Sequence, residues 1–524
     1  MSRWLHVGEI LSMAAYLYPE KMGARDLYRS LSFREWNDRC CRLANGLLGL
    51  GLKKGDRVGI IAYNCLEWME IYGAFAKSGL VAVPIMFRLT PGEYQYILED
   101  SECKGLIAGD EFVEGFNSIK DQTKIDKCIS FGSKEIPGGY ISYEALISKA
   151  SNEEPPIEVG HEDVWVIMYT SGTTGKPKGV VRTHESLIAE YLTNIPEYGF
   201  HRDDVALLVM PMCHINSIFY SFVFTYTYGA VCVYNMQSFD PEHLLKTIND
   251  NNITFTSLVP THYIMMLALP DKIKNKYDVD CIEKLVCSSA PLRKDTKLEI
   301  MAFFKNSRFF EGYGSTEAGL VTLLRPEDQL RKPGSIGREV IGTGRIKLLN
   351  ESGDEVSVGE VGELYSRTPM VFSEYWKMPE TTREAFRGEW FSAGDMAVKD
   401  EDDYYTLVDR KKNMIITGGE NVYPSEVENV LGVHPKVKDV AVIGVPDKKW
   451  GESIKAVIIL HDGIEENEDL KKEIVDFTRD KIAGFKKPKS IDFIKEEDMP
   501  RTGTGKILKR ELRAPYWEGT GRTI

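Results

Sequence analysis

The stretch Tyr169–Arg182, YTSGTTGKPKGVVR, crowds hydroxyls, glycines and lysines into one short loop. Such a loop offers backbone N–H groups, hydroxyl donors and ammonium charge, which is the equipment of a phosphate cradle. A strand-like run, DVWVIMY, leads in and a helix-like run, THESLIAEYL, follows. The expectation is therefore a strand–loop–helix unit whose helix N-terminus adds to the cradle. Comparison with the nucleotide P-loop, GxxxxGK[ST], fails. In GTTGKP the spacing is wrong, and a proline stands where the magnesium-binding hydroxyl would be. A glycine-rich turn alone is an ordinary surface loop, so the weight rests on what accompanies it.

Four further segments accompany it, in order: EGYGSTEAG (311–319), GEWFSAGDMA (388–397), DRKKNMIITGGENVYPSEVE (409–428) and PRTGTGKILKREL (500–512). Together with YTSGTTGKPKGV they resemble the signatures of the AMP-forming adenylating superfamily, which includes acyl-CoA synthetases, beetle luciferases and the adenylation domains of nonribosomal peptide synthetases. The resemblance covers nearly the whole chain. It implies attack of a carboxylate on the α-phosphate of ATP, giving acyl-AMP and pyrophosphate, followed by transfer to coenzyme A. Two anions must meet in that first step, so the site must neutralise charge and hold an in-line geometry.

Residue by residue, the resemblance implies that Thr170, Ser171, Gly172, Thr173, Thr174, Gly175, Lys176 and Lys178 wrap the β- and γ-phosphates. Glu311, Gly312, Tyr313, Gly314 and Ser315 would line the nucleotide, with Tyr313 against adenine and Ser289, Ala290 and Pro291 on the other adenine wall. Thr316 would contact the α-phosphate and Glu317 would help hold Mg2+, an ion that needs few protein oxygens. Asp395 would accept from the ribose hydroxyls, and Arg410 would reach the ribose or α-phosphate. Lys506 would be the catalytic lysine of adenylation, bridging the substrate carboxylate and the α-phosphate. Lys412 would be the hinge about which a C-terminal domain turns for the second half-reaction. Gly418 and Gly419 would then border the pantetheine tunnel, with Lys481, Lys486, Lys487 and Lys489 offered to the CoA phosphates. His214, Asn216, Ser217 and Gly314 would border the acyl group.

These residues need elements to position them. Up to about residue 330, strand and helix patterns alternate: RVGIIAYN, CLEWMEIYGAFAKSG ending at Gly79, LVAVPI, PGEYQYILEDSE opening at a proline, and GLIAG. VALLVMPM, FTSLVP and IEKLVCSSAPL continue the series. This alternation predicts layered α/β structure with parallel strands. From Gly334 to Arg367, glycines punctuate short alternating strands, as in a small β-barrel or sheet. Beyond DRKK lies a compact α/β unit, with a capping box expected from Ser425 and Glu428. The expected division is a large N-terminal domain, 1–409, and a small mobile C-terminal domain, 410–524. The run Ile215–Tyr228 reads as one buried helix. It carries Phe219, Phe222 and Tyr226 on one face and Tyr220, Phe224 and Tyr228 on another. Bulky rings near its start favour a short, branched, cyclic or aromatic acid over a long fatty chain. No aspartate occurs between Pro211 and Ala230 to pair with an α-ammonium, which argues against an amino acid substrate.

Composition bounds the rest. With 524 residues, 43% apolar and 27% charged, the chain is an ordinary globular sequence long enough for a large core. A net charge of −13 excludes nucleic-acid binding by the molecule as a whole. Nine scattered cysteines without a CxxC fit a reducing cytoplasm. The N-terminal stretch carries Glu9 within its apolar run and makes a poor signal peptide, and no run is long enough for a membrane span. The expected partners are a small carboxylic acid, ATP with Mg2+, and CoA, with monomer and homodimer both open. Two other functions compete: adenylation for delivery to a carrier protein, and ligand binding without catalysis. Intact Lys506, Glu317, Asp395 and Arg410 argue against the second.

Overall fold

A computed structural model describes residues 6–132, 135–170, 176–289, 292–417, 420–447, 450–479, 481–502 and 505–518. The predicted residues Ser171, Gly172, Thr173, Thr174, Gly175, Ala290, Pro291, Gly418 and Gly419 lie outside that set. The chain forms two compact units. One comprises Met1–Arg345 and Ser366–Phe391, the other Ile346–Tyr365 and Ser392–Ile524.

The first unit is built on two large sheets. In one, the strands Arg57–Ile61, Val81–Ile85, Gly105–Gly109, Lys127–Phe131 and Ile141–Ser142 run parallel, and Val81–Ile85 pairs in parallel with Val164–Thr170. These are the near-continuous apolar runs of the sequence, as strands covered on both faces require. The helix Glu67–Ser78 between two of them ends on Gly79 in the left-handed conformation. The second sheet places Met22–Arg25, Ala230–Val233, Val205–Leu208, Phe255–Leu258, Lys284–Ser288 and Arg308–Ser315 side by side and parallel. Gly319–Leu324 then turns back antiparallel on Arg308–Ser315. Trp36, Trp68, Trp165 and Phe222 are fully buried in the core of this unit.

Two local expectations are corrected here. The loop after Thr170 does not lead directly into a helix. Lys178–Thr183 first returns as an antiparallel strand, with Thr170 opposite Lys178, and only then does the helix His184–Tyr198 begin. The β-branched pair Val180–Val181 is fully buried in that strand, which explains why the run extends rather than coils. The strands on either side of this stretch thus pair antiparallel, and a strand, not a helix, follows it. The run Ile215–Tyr228 is likewise broken, into Ile215–Ser221 and Val223–Thr227. The hydroxyls of Ser221 and Thr225 donate to the Ile218 and Phe222 carbonyls and compete there with helical N–H groups.

The second unit holds an antiparallel four-stranded sheet, Lys347–Leu349, Val361–Tyr365, Asp395–Lys399 and Tyr405–Arg410. It also holds the hairpin Val437–Asp447 with Gly451–Leu460, flanked by Ser490–Phe493, Ile415–Thr417 and Glu420–Val422. The capping box at Ser425 does not form. Ser425 donates its amide to Asp409 and its hydroxyl to the Val408 carbonyl. Glu428 accepts from the Val442 amide and pairs with Lys509 at 2.7 Å. A buried carboxylate with a cation at hand takes the cation in preference to a helix end. Among the described residues, no helix is long and apolar enough to cross a membrane.

Candidate active site

In the first unit the strand Arg308–Ser315 delivers five of the predicted nucleotide residues, Glu311, Gly312, Tyr313, Gly314 and Ser315. Gly312 lies opposite Ser288, and Ser289 just beyond adopts a left-handed φ of 70°. Tyr313 is half-buried. Glu311 is held in an ion pair by the buried Lys297, and burial pushes its carboxyl up while that ammonium pulls it back. The turn between this strand and Gly319–Leu324 carries Thr316 and Glu317. It is tight: a Cβ on Gly314 would overlap the Gly319 carbonyl, and Gly319 has φ 74°. Ser315 closes it by accepting from the Ala318 amide at 3.0 Å.

Glu317 is fixed at two points. Its carbonyl accepts from Phe372 N at 2.6 Å, and its Oε1 accepts from the Tyr375 hydroxyl at 3.0 Å. The Lys178 ammonium sits 4.8 Å from the Tyr375 ring centroid. Lys178 and the Glu317 turn thereby share one tyrosine. Lys176 is exposed and lies 5.2 Å from the Tyr96 ring centroid. Tyr375 and Phe372 went unnoticed in the sequence. Arg182 did as well, although it closes the stretch that opened the sequence analysis. An arginine among buried valines on a short strand was the available signal, because a buried guanidinium must find acceptors.

Around the predicted acyl site, Asn216 donates to Ser257 Oγ at 3.0 Å and Ser288 Oγ at 3.1 Å, so it spans the ends of two parallel strands. Such strand ends are where ligands bind in open α/β sheets. His214 precedes the helix Ile215–Ser221, and its Nε2 is sealed from solvent without a hydrogen-bond partner among the described residues. Burial, with Arg88 nearby, drives its imidazole down to about 4, so it is neutral at pH 7. Ser217 is buried, its hydroxyl spent on the Met210 carbonyl at 2.7 Å. Rings of this buried run pack in the core: Phe222 packs on Trp36 and Trp165, and the Tyr220 hydroxyl meets that of Tyr198.

The second unit assembles its own set. Asp395 and Arg410 face each other across two strands, with Arg410 Nε donating to Asp395 Oδ1 at 3.1 Å. Lys506 follows a turn in which Thr502 N donates to the Lys506 carbonyl at 2.7 Å. Lys506 is exposed at the surface, yet the groups crowding its ammonium push it down to about 8, first by desolvation and then through the Arg410 cation, against the pull of Asp395 and Asp409. The ribose pair and the catalytic lysine predicted from separate motifs are therefore electrostatic neighbours. Lys412 is exposed, and its carbonyl accepts from Arg513 at 3.3 Å. Of the cations offered to CoA, Lys486 is paired with Glu426 at 2.7 Å, Lys481 covers the Phe477 ring, Lys487 is half-buried and Lys489 is exposed.

Comparison with known proteins agrees with this layout. The AMP-binding enzyme model matches residues 11–376, and the AMP-binding enzyme C-terminal domain model matches residues 426–506. A feruloyl-CoA synthase from an Amycolatopsis species is 36% identical over 505 residues, covering 96% of this chain and 97% of its own. The long-chain-fatty-acid–CoA ligase FadD13 of Mycobacterium tuberculosis is 35% identical over 490 residues, covering 93% of each chain. The crystal structure of the anthranilate CoA ligase AuaEII in complex with anthranoyl-AMP superposes with a TM-score of 0.88 at 28% identity, covering 98% of each chain. The chain belongs to the AMP-binding enzyme family.

Proposed function

We propose that this AMP-forming acid–CoA ligase activates an aromatic or other compact carboxylic acid through the residues described above. The acid's carboxylate attacks the α-phosphorus of ATP. The bond to the β-phosphate bridging oxygen breaks, and pyrophosphate leaves. The CoA thiol, losing its proton, then attacks the acyl carbon, and AMP departs with its phosphate oxygen. Lys506 holds a positive charge against the carboxylate and α-phosphate in the first step, where negative charge concentrates. Asp395 accepts from the ribose hydroxyls, and Arg410 steadies that carboxylate. Thr170, Lys176 and Lys178 face the outer phosphates. Glu317, a hard oxygen donor held in place by Tyr375, suits Mg2+, which when bound draws charge from the phosphate oxygens. Lys412 serves as the pivot for the segment from 410 onward, so that one pocket serves both half-reactions in turn. The proposed location is the cytoplasm, where both CoA and ATP are supplied.

The observation that carries the assignment is the grouping of Lys506 with Arg410 and Asp395, in which a lysine has its ammonium pushed down to about 8. The relatives named for ferulate and anthranilate favour an aromatic acid. The neutral His214 and the small polar Asn216 at the strand ends fit a flat ring better than an ammonium-bearing substrate. Incubation with ATP, CoA and a panel of aromatic, branched and long-chain acids should yield thioester and AMP, fastest with the aromatic members. Pyrophosphate release without thioester would point to a carrier protein as acceptor. No pyrophosphate release with any acid would end the assignment. Lys506→Ala should lower acyl-AMP formation at least about a hundredfold, in line with removal of a transition-state charge partner. Thioester formation from supplied acyl-AMP should be nearly unchanged, and equal loss in both steps would contradict the two-step division.

A further inference from the structure

Beneath the Glu317 turn lie two buried charged residues, Arg182 and Glu190, that the reaction scheme above does not use. Arg182 and Glu190 are 0% and 1% exposed. Arg182 Nη1 donates to the Thr316 carbonyl at 2.7 Å, and its Nε and Nη2 are anchored on Ser186 Oγ and Ser186 O at 3.1 and 3.4 Å. Its guanidinium lies 5.6 Å from the Phe219 ring centroid. Glu190 Oε2 accepts from the Leu320 amide at 3.0 Å. A Cβ on Gly319 would overlap that same oxygen, so the carboxylate and the left-handed glycine fit only each other. Glu190 Oε1 has no hydrogen-bond partner among the described residues.

Burying two charges is costly, and desolvation drives the pair from both sides, Arg182 down to about 10 and Glu190 up to about 7. A turn between antiparallel strands does not need an arginine and a glutamate to form. What the pair secures is the backbone on either side of one residue: the carbonyl just before Glu317 and the amide three residues after it. Phe372 and Tyr375 then hold the Glu317 carbonyl and carboxylate from the other side.

We propose that Arg182 and Glu190 are positioning residues that clamp the Thr316–Leu320 turn and so fix the Glu317 carboxylate for the divalent ion that accompanies ATP. This rests on the assignment of Glu317 as the metal-side carboxylate. Preorganised donors hold a ligand without rearranging at the moment of binding, and the clamp supplies that rigidity from outside the pocket. Arg182 and Glu190 touch neither nucleotide nor acid in this scheme.

The test is calorimetric titration of ATP into the full chain at a series of Mg2+ concentrations, which needs no knowledge of the acid. Glu317→Gln is the reference and should raise the Mg2+ concentration for half-maximal ATP affinity about tenfold. Arg182→Lys keeps the charge but loses the fork that reaches Thr316. Glu190→Leu keeps the bulk but loses the acceptor for Leu320. Each should raise the same midpoint about fivefold, with ATP affinity at saturating Mg2+ returning to within twofold of wild type and the circular dichroism spectrum unchanged. A general loosening of the fold would lower affinity at every Mg2+ concentration, and that result would overturn the clamp. So would a wild-type midpoint in whichever of the two variants folds while Glu317→Gln shifts. If Glu317→Gln itself leaves the midpoint unmoved, the metal-side assignment falls and the clamp's purpose falls with it.

Discussion

In the proposed scheme Lys506 acts on adenylation as a cation, and its surroundings lower its affinity for the proton. Desolvation and Arg410 together hold its ammonium near 8. A lysine whose affinity for protons is lowered loses its charge as pH rises through that value. The rate of acyl-AMP formation, read as kcat/KM for ATP, should therefore fall on the alkaline side with a midpoint near 8. Thioester formation from supplied acyl-AMP should lack that limb. A flat adenylation profile from pH 7 to 10 would remove Lys506 from the charge-bearing role. His214 behaves in the opposite sense. With its imidazole driven down to about 4, it stays neutral across the working range. The KM for the acid should therefore show no step between pH 5.5 and 7.5, and such a step would signal an imidazole that ionises on binding. Much of this was legible in the sequence, because Lys506, Asp395 and Arg410 sit in motifs whose residue types declare their chemistry. Their mutual influence was not legible, since 96 residues of chain separate Arg410 from Lys506 and only packing brings them together.

The element that matters most is the antiparallel pair Arg308–Ser315 and Gly319–Leu324, whose turn presents Thr316 and Glu317. Its backbones approach so closely at Gly314 that a methyl group would collide with the Gly319 carbonyl, an obstacle that no rotamer can relieve. Gly314→Ala should cost about 1–3 kcal/mol or more, the range for overpacking a tight site. It should lower the melting temperature by several degrees and abolish pyrophosphate release. Gly49→Ala is the control: it ends the helix Phe33–Gly49 with open space at the Cβ position and should leave both measurements unchanged. An active, stable Gly314→Ala protein would mean that the turn is softer than its geometry. The strand pair that flanks the glycine-rich stretch is the contrasting element. Its strand-like entry was plain from DVWVIMY, but the return strand Lys178–Thr183 was hidden by the helix pattern that starts immediately after it. Six residues of strand carry too little periodicity to compete with fifteen of helix.

For the whole molecule, Thr170, Lys178 and Glu317 lie in one compact unit, and Asp395, Arg410 and Lys506 in the other. A ligase that uses one pocket for two reactions needs one portion to change partners between them. Gly419→Leu, placed by resemblance at the pantetheine tunnel, should slow thioester formation about tenfold or more while sparing acyl-AMP formation. Unchanged acyl-CoA yield would remove Gly419 from the tunnel. By itself the sequence determined the parallel α/β layering, the ordered motifs and the chemical types gathered in them, because apolar periodicity and side-chain chemistry are local properties. It also gave the family, since five spaced signatures seldom arise together. Tertiary structure alone decided that Arg182 and Glu190 hydrogen-bond the backbone of the Glu317 turn, and that Tyr375 lies between this turn and Lys178. The reason is physical: whether a charge or an aromatic ring is buried, and what it meets there, depends on which distant strands pack over it, and no window of sequence contains those neighbours.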